Sequence, residues 1–205
     1  MSTRAAGCLL VLSISVWAVA AALAAKGFDV KPVESYPTRQ SANGLTIAAV
    51  AYDTEEQQKA VFGKAPLREF GILPVLLVMQ NDSGKALKLE TMEVNYLTPQ
   101  QRKVEETPSS EVQYLDGPKR PNFGGNPLPI PRRKPKSKLA HPEIEGYGFN
   151  AKMLPANDKA HGFVYFQTSH RPGAGAKIYI RGIVEAPTGK ELLFFEVPLD
   201  PPPAP

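Results

Sequence analysis

The sequence predicts an all-β protein, an antiparallel sandwich of seven or eight strands carrying one short helix and a long Pro/basic insert. Three observations point there. The chain holds 21 prolines, all at or after Pro32, and each interior proline removes a donor and clashes with the preceding turn of a helix. Short runs rich in Val, Ile, Tyr and Phe recur with turn residues between them. No alternation of strand and helix and no internal repeat is present, which argues against a parallel sheet. With 205 residues, 42% hydrophobic and 21% charged, the chain has the length and composition of one globular domain with attachments.

Taken in order, residues 1–25 read as a signal peptide or an uncleaved N-terminal anchor. Arg4 is the only charge before Lys26, residues 5–25 are apolar and alanine-rich, and Ala22-Leu23-Ala24 supplies small residues for cleavage. About 20 apolar residues also suffice to span a bilayer, so both fates stay open, and both export the bulk of the chain to a periplasmic or secreted location. Contact with the membrane is expected only through that segment if it is retained. Cys8, the single cysteine, lies too near the start to follow an apolar export segment, so a cleaved chain has neither disulfide nor thiolate chemistry. Residues 26–43 are polar and proline-containing and read as linker.

The domain proper is expected over 44–199. A first strand falls at about 45–51. A helix follows near 54–62, with Thr54 and Gln57 forming a capping box and Gly63 as its stop. Ile72–Gln80 is apolar almost throughout, as a buried strand requires, and Pro74 assigns its neighbourhood to an edge or a strand start. Such an edge is a place for strand addition. Asn81 to Lys85 is a turn by composition. Leu87, Leu89 and Thr91 alternate, then Met92, Val94 and Tyr96 continue on the other parity, which predicts a bulge. Further strands are expected at 111–115, 147–153 and 162–168. Segments 177–185 and 191–199 form a terminal hairpin, and Asp200 to Pro205 is a polyproline-like tail.

Val78-Met79-Gln80-Asn81 leading through Ser83-Gly84 to Leu87-Lys88-Leu89, Leu154-Pro155 leading into Gly162-Phe163-Val164-Tyr165-Phe166, and the alternating terminal hairpin together resemble the immunoglobulin-like β-sandwich domains of exported bacterial proteins of unknown function. The resemblance covers about 45–199 and rests on packing patterns. It implies an extracytoplasmic sandwich with an accessory or binding role, and it transfers no functional residue. The helix at 54–62 and the insert at 116–146 are additions to that pattern.

Chemistry-bearing motifs are sparse. His161 and His170 flank one expected strand, about 30 Å apart when extended, too far to share a metal with each other at bonds near 2 Å; pairing of either with His141 stays open, without an HExxH or an i, i+4 histidine pair to support it. There is no G-x-S-x-G elbow, and none of the three Gly-Lys pairs sits in a phosphate loop. The acidic clusters Asp53/Glu55/Glu56, Glu105/Glu106 and Glu143/Glu145 would serve acid–base work only if two of them met in space. The reading is therefore a non-enzymatic protein with no cofactor and no metal.

The insert has the most individual chemistry. Between Pro118 and Lys138 lie seven basic residues and no acidic one, whereas removal of Arg4 with a signal peptide leaves the whole chain at only +3. Alternate prolines favour the extended polyproline II form, and the adjoining charges repel one another. Such an arm loses little entropy on docking. The expected partner-binding residues are Lys119, Arg120, Pro127, Pro129, Pro131, Arg132, Arg133, Lys134, Lys136 and Lys138. The partner class is a protein or an anionic envelope component; nucleic acid is not expected, since only Phe123 is near enough to stack on bases. A solvated insertion is the competing reading, because long loops cost little. An alternative function is a small-ligand or carbohydrate-binding sandwich that uses an aromatic surface, for which Tyr165/Phe163 and Phe194/Phe195 are the candidates.

Overall fold

The structure is a computed structural model and describes residues 28–115, 137–168 and 175–200. The signal or anchor segment, residues 116–136 of the insert and the tail beyond Asp200 lie outside the described residues. Among the described residues no helix is long and apolar enough to cross a membrane. The framework there is antiparallel β, with eleven strands, two sheets and two short helices.

The first two strands are a hairpin, β1 (Arg39–Ala42) and β2 (Leu45–Ala51). They are joined by Asn43 and Gly44, which hold φ of 53° and 74°. A two-residue Asn-Gly connection with both residues left-handed matches the twist of the strands it joins. The linker reading of 26–43 is thus corrected over its described part. Val33 is buried, and the Thr38 hydroxyl donates to the Ala49 carbonyl at 2.7 Å. Alternate residues of β1 are exposed, and that polar edge face is what gave the segment its linker-like composition.

Helix α1 (Glu55–Phe62) starts and stops as its sequence predicts. Thr54 accepts from the Gln57 N–H, the Gln57 side chain accepts from the Thr54 N–H, and Gly63 ends the helix with φ of 62°. Strand β3 (Ile72–Asn81) then pairs with β2 on one side and with β8 (Lys159–Gln167) on the other. Pro74 therefore lies in an interior strand, and the expected edge beside it does not exist. Its carbonyl accepts from Tyr52 N–H at 2.9 Å, just past the end of β2 at Ala51, so its missing donor falls where the β2 ladder has already stopped.

The parity change at 91–92 is a turn, not a bulge. It separates β4 (Leu87–Lys88) from β5 (Glu93–Leu97), which belong to different sheets, and Met92 N–H closes it on the Leu89 carbonyl at 3.0 Å. Strand β6 (Lys103–Thr107) follows. The strand expected at 111–115 is a 3₁₀ turn, Val112–Tyr114. Helix α2 (Pro142–Gly146) comes next. Most of the strand expected at 147–153 is instead a single parallel bridge, Gly148 to Phe163, followed by β7 (Met153–Leu154). The final strands are β9 (Lys177–Arg181), β10 (Val184–Glu185) and β11 (Phe195–Pro198), with β9 and β11 paired as the terminal hairpin predicts.

The large sheet runs β1-β2-β3-β8-β6-β5-β9-β11, and a small one runs β10-β4-β7. The large sheet curls in a barrel-like way until its two end strands meet, where Gln40 Oε1 on β1 accepts from the Glu196 N–H on β11. Its concave side holds Ile47, Val75, Leu77, Tyr96, Phe166, Ile178 and Phe195. On the convex side a second cluster packs α1, α2 and three 3₁₀ turns (Val33–Ser35, Leu67–Phe70 and Val112–Tyr114) over Leu76, Val78, Phe163 and Tyr165. Strands β3 and β8 are buried on both faces, which explains their continuous apolar sequence. Phe163 and Tyr165 lie under Phe62 of α1, at ring-centroid distances of 4.9 and 6.1 Å.

Candidate functional site

Where the insert leaves and re-enters the folded body, its ends are held by buried side chains. Pro108 ends β6, and its carbonyl accepts Glu111 N–H at 2.8 Å, turning the chain into the 3₁₀ turn that buries Val112. On the return, Leu139 and Ile144 are buried, and the Tyr165 hydroxyl donates to the Ile144 carbonyl at 2.7 Å. Burial raises the Tyr165 hydroxyl far above its usual range, so it stays a donor. Gln113 and Leu139 line one depression of about 260 Å³. The two ends of the insert are thus neighbours.

Beside them is a larger cavity of about 600 Å³, lined by Glu106, Ser109, Ser110, Glu145, Phe149 and Asn150, with Pro108 and Phe163 completing it. Its walls come from the end of β6, the turn after it, α2 and the segment that follows α2. That last segment lies against β8, with Phe149 N–H donating to the Phe163 carbonyl at 2.9 Å and Phe163 N–H to the Tyr147 carbonyl at 2.7 Å. Gly162 permits this approach, since a Cβ there would stand 2.5 Å from the Phe149 Cα. Glu106 faces the same side of β6 as Val104, beside its register partner Phe166, and burial pushes its carboxyl up to about 7. It has no hydrogen-bond or ion-pair partner among the described residues. Among the described residues no Lys, Arg or His lines the cavity.

Two of the acidic clusters visible in the sequence therefore contribute one residue each to the lining of one cavity. Glu105 points to the opposite face of β6, in register with Asn95. Asp53, Glu55 and Glu56 belong to the start of α1, where negative charge complements the helix dipole.

Of the expected partner-binding residues, Lys119, Arg120, Pro127, Pro129, Pro131, Arg132, Arg133, Lys134 and Lys136 lie outside the described residues. Lys138 is exposed next to buried Leu139. His170 also lies outside them. His141 Nδ1 is 4.0 Å from Glu143 Oε2, and His161 is an exposed position of β8. Among the described residues no three His, Cys, Asp or Glu side chains are grouped to hold a metal. Of the four candidate aromatics, Phe163, Tyr165 and Phe195 are buried, and Phe194 is exposed. The ring of Phe194 stacks on Tyr179 with centroids 5.5 Å apart and planes at 27°, a partner that the sequence reading missed.

Comparison with known proteins names no family. No family model matches the chain, and no curated protein matches it.

Proposed function

We propose that the chain is an exported, non-enzymatic interaction protein of the envelope-accessory kind, built on an immunoglobulin-like β-sandwich, whose Pro/Arg/Lys-rich insert is the contact segment. The carrying observation is that both ends of the insert are rooted in buried residues, Val112 just before it and Leu139 and Ile144 in its last part, at neighbouring places on the folded body. A loop fixed at both ends can vary in charge and sequence without disturbing the core, and this one concentrates the basic residues of a chain that is otherwise slightly acidic. Its partner is an acidic protein surface or an anionic envelope polymer. The antiparallel sheets and the β9–β11 pairing support the immunoglobulin-like assignment, and the barrel-like curl of the large sheet is a departure from it.

The test replaces Lys119, Arg120, Arg132, Arg133, Lys134 and Lys136 by serine and leaves Leu139 in place, because Leu139 belongs to the core. Cross-linking in intact cells should then lose a specific partner while the melting curve is unchanged. Binding of the wild type should weaken with added salt, as screened charges require. Identical partners with and without the six charges would rule out the insert.

The stacked Tyr179–Phe194 pair favours a second reading, a carbohydrate platform. Phe194 is 50% exposed and Leu193 beside it 73%. On that reading Phe194→Ala should abolish retention on immobilised polysaccharide, and the serine variant of the insert should still be retained.

A further inference from the structure

We infer that the cavity between the end of β6 and α2 is a binding site for a small organic cation, an ammonium or guanidinium on an apolar body, with Glu106 and Glu145 as its counter-charges. Its volume of about 600 Å³ lies within the range of pre-formed small-molecule sites. The lining has the parts that such a ligand needs. Two acidic residues, Glu106 and Glu145, line it, and no basic one does among the described residues. The hydroxyls of Ser109 and Ser110 and the amide oxygen of Asn150 can accept the remaining N–H groups. Phe149, half-buried, offers an apolar wall and a ring that can attract a cation. This site stands independently of the proposed role of the insert.

Glu106 gives the site a signature. Its charged form is costly where burial raises its carboxyl from the usual 4.5 to about 7, and an ammonium beside it favours that charged form. Binding below neutral pH must therefore expel a proton. Among the described residues the ionisable groups on the elements around it are Glu93 and Tyr96 of β5, Glu111, Glu145, the His141–Glu143 pair, Tyr147, and Tyr165, His161 and Lys159 of β8; of these only Glu145 shares the cavity lining. On β6 itself, Lys103 and Glu105 point to the other face.

The probe is benzylammonium, with benzyl alcohol as its neutral counterpart, titrated calorimetrically into the full chain near pH 8 and near pH 5.5. Benzylammonium should bind saturably near pH 8 and about tenfold or more weaker near pH 5.5, since each pH unit below the carboxyl's value costs up to about tenfold. Benzyl alcohol should not bind. Glu106→Gln should remove both the affinity and its pH dependence, and Glu145→Gln should weaken binding with the pH dependence retained. The fold supplies a check that needs no ligand. The folded state holds this proton more tightly than the unfolded chain, so stability falls as pH rises from 4.5 to about 7. Glu106→Gln should flatten that fall, which also shows that the variant folds. No saturation near pH 8, equal binding of the alcohol, or an unaltered Glu106→Gln titration would overturn the assignment.

Discussion

Asn81→Ala is expected to lower stability by about 3–5 kcal/mol, the sum of several buried partners each left at about 1–3 kcal/mol with some recovery by entering water. Asn81 ends β3 and is fully buried. Its Nδ2 donates to the carbonyls of Lys85, Leu154 and Pro155 at 2.7, 3.2 and 2.8 Å. Its Oδ1 accepts from the Ser83 N–H and hydroxyl at 3.1 and 2.6 Å. One side chain thus ties the turn after β3 to the connection between β7 and β8, segments some seventy residues apart in sequence. Asn81→Asp should be at least as damaging as alanine, because a carboxylate would face three carbonyl oxygens with no proton to offer. Urea unfolding of both variants checks this. A loss below about 1 kcal/mol in the alanine variant, the scale of one exposed hydrogen bond, would mean that these contacts carry little of the fold.

Phe62→Ala is expected to cost about 3–5 kcal/mol, the range for deleting a buried aromatic. Phe62 fixes α1 to the convex face of the sheet by packing edge-on against Phe163 and close to Tyr147, with centroids 6.4 Å apart, and Tyr165. Phe62→Leu should cost clearly less, since most of the apolar volume remains. The two clusters share β3 and β8, so weakening the convex one should lower the single melting transition as a whole. A variant that melted in two steps, losing the helical cover first, would show that the clusters are separable.

How much of this was legible in the sequence depended on how local the determining interaction is. The cap of α1 was readable because Thr54, Gln57 and Gly63 act within one helix. Strands β3 and β8 were readable as apolar runs, and the β9–β11 hairpin by its alternation. Pro74 misled because a proline's cost depends on which neighbour its nitrogen faces, and here the neighbouring strand ends one residue short of it. The 91–92 parity slip looks the same for a bulge within a sheet and for a turn between sheets. Strand β1 carried a signal that could have found it, the Asn43-Gly44 pair, which polar composition masked. For the cavity, the lining residues Glu106 and Glu145 were both visible as members of acidic clusters. Their meeting was not, because it follows from the parallel bridge of Gly148 to Phe163 and from the room that Gly162 leaves for Phe149.

The closure of the large sheet has a further consequence. Strands β1 and β11 meet without a backbone ladder between them, joined by the Gln40 side chain on the Glu196 amide. The curl therefore has a seam, and fluctuations that open the wall start there instead of in the doubly buried β3–β8 pair. Amide protons on the facing edges of β1 and β11 should exchange with solvent well before those of β3 and β8, so the interior is reached from the side where the first and last described strands touch.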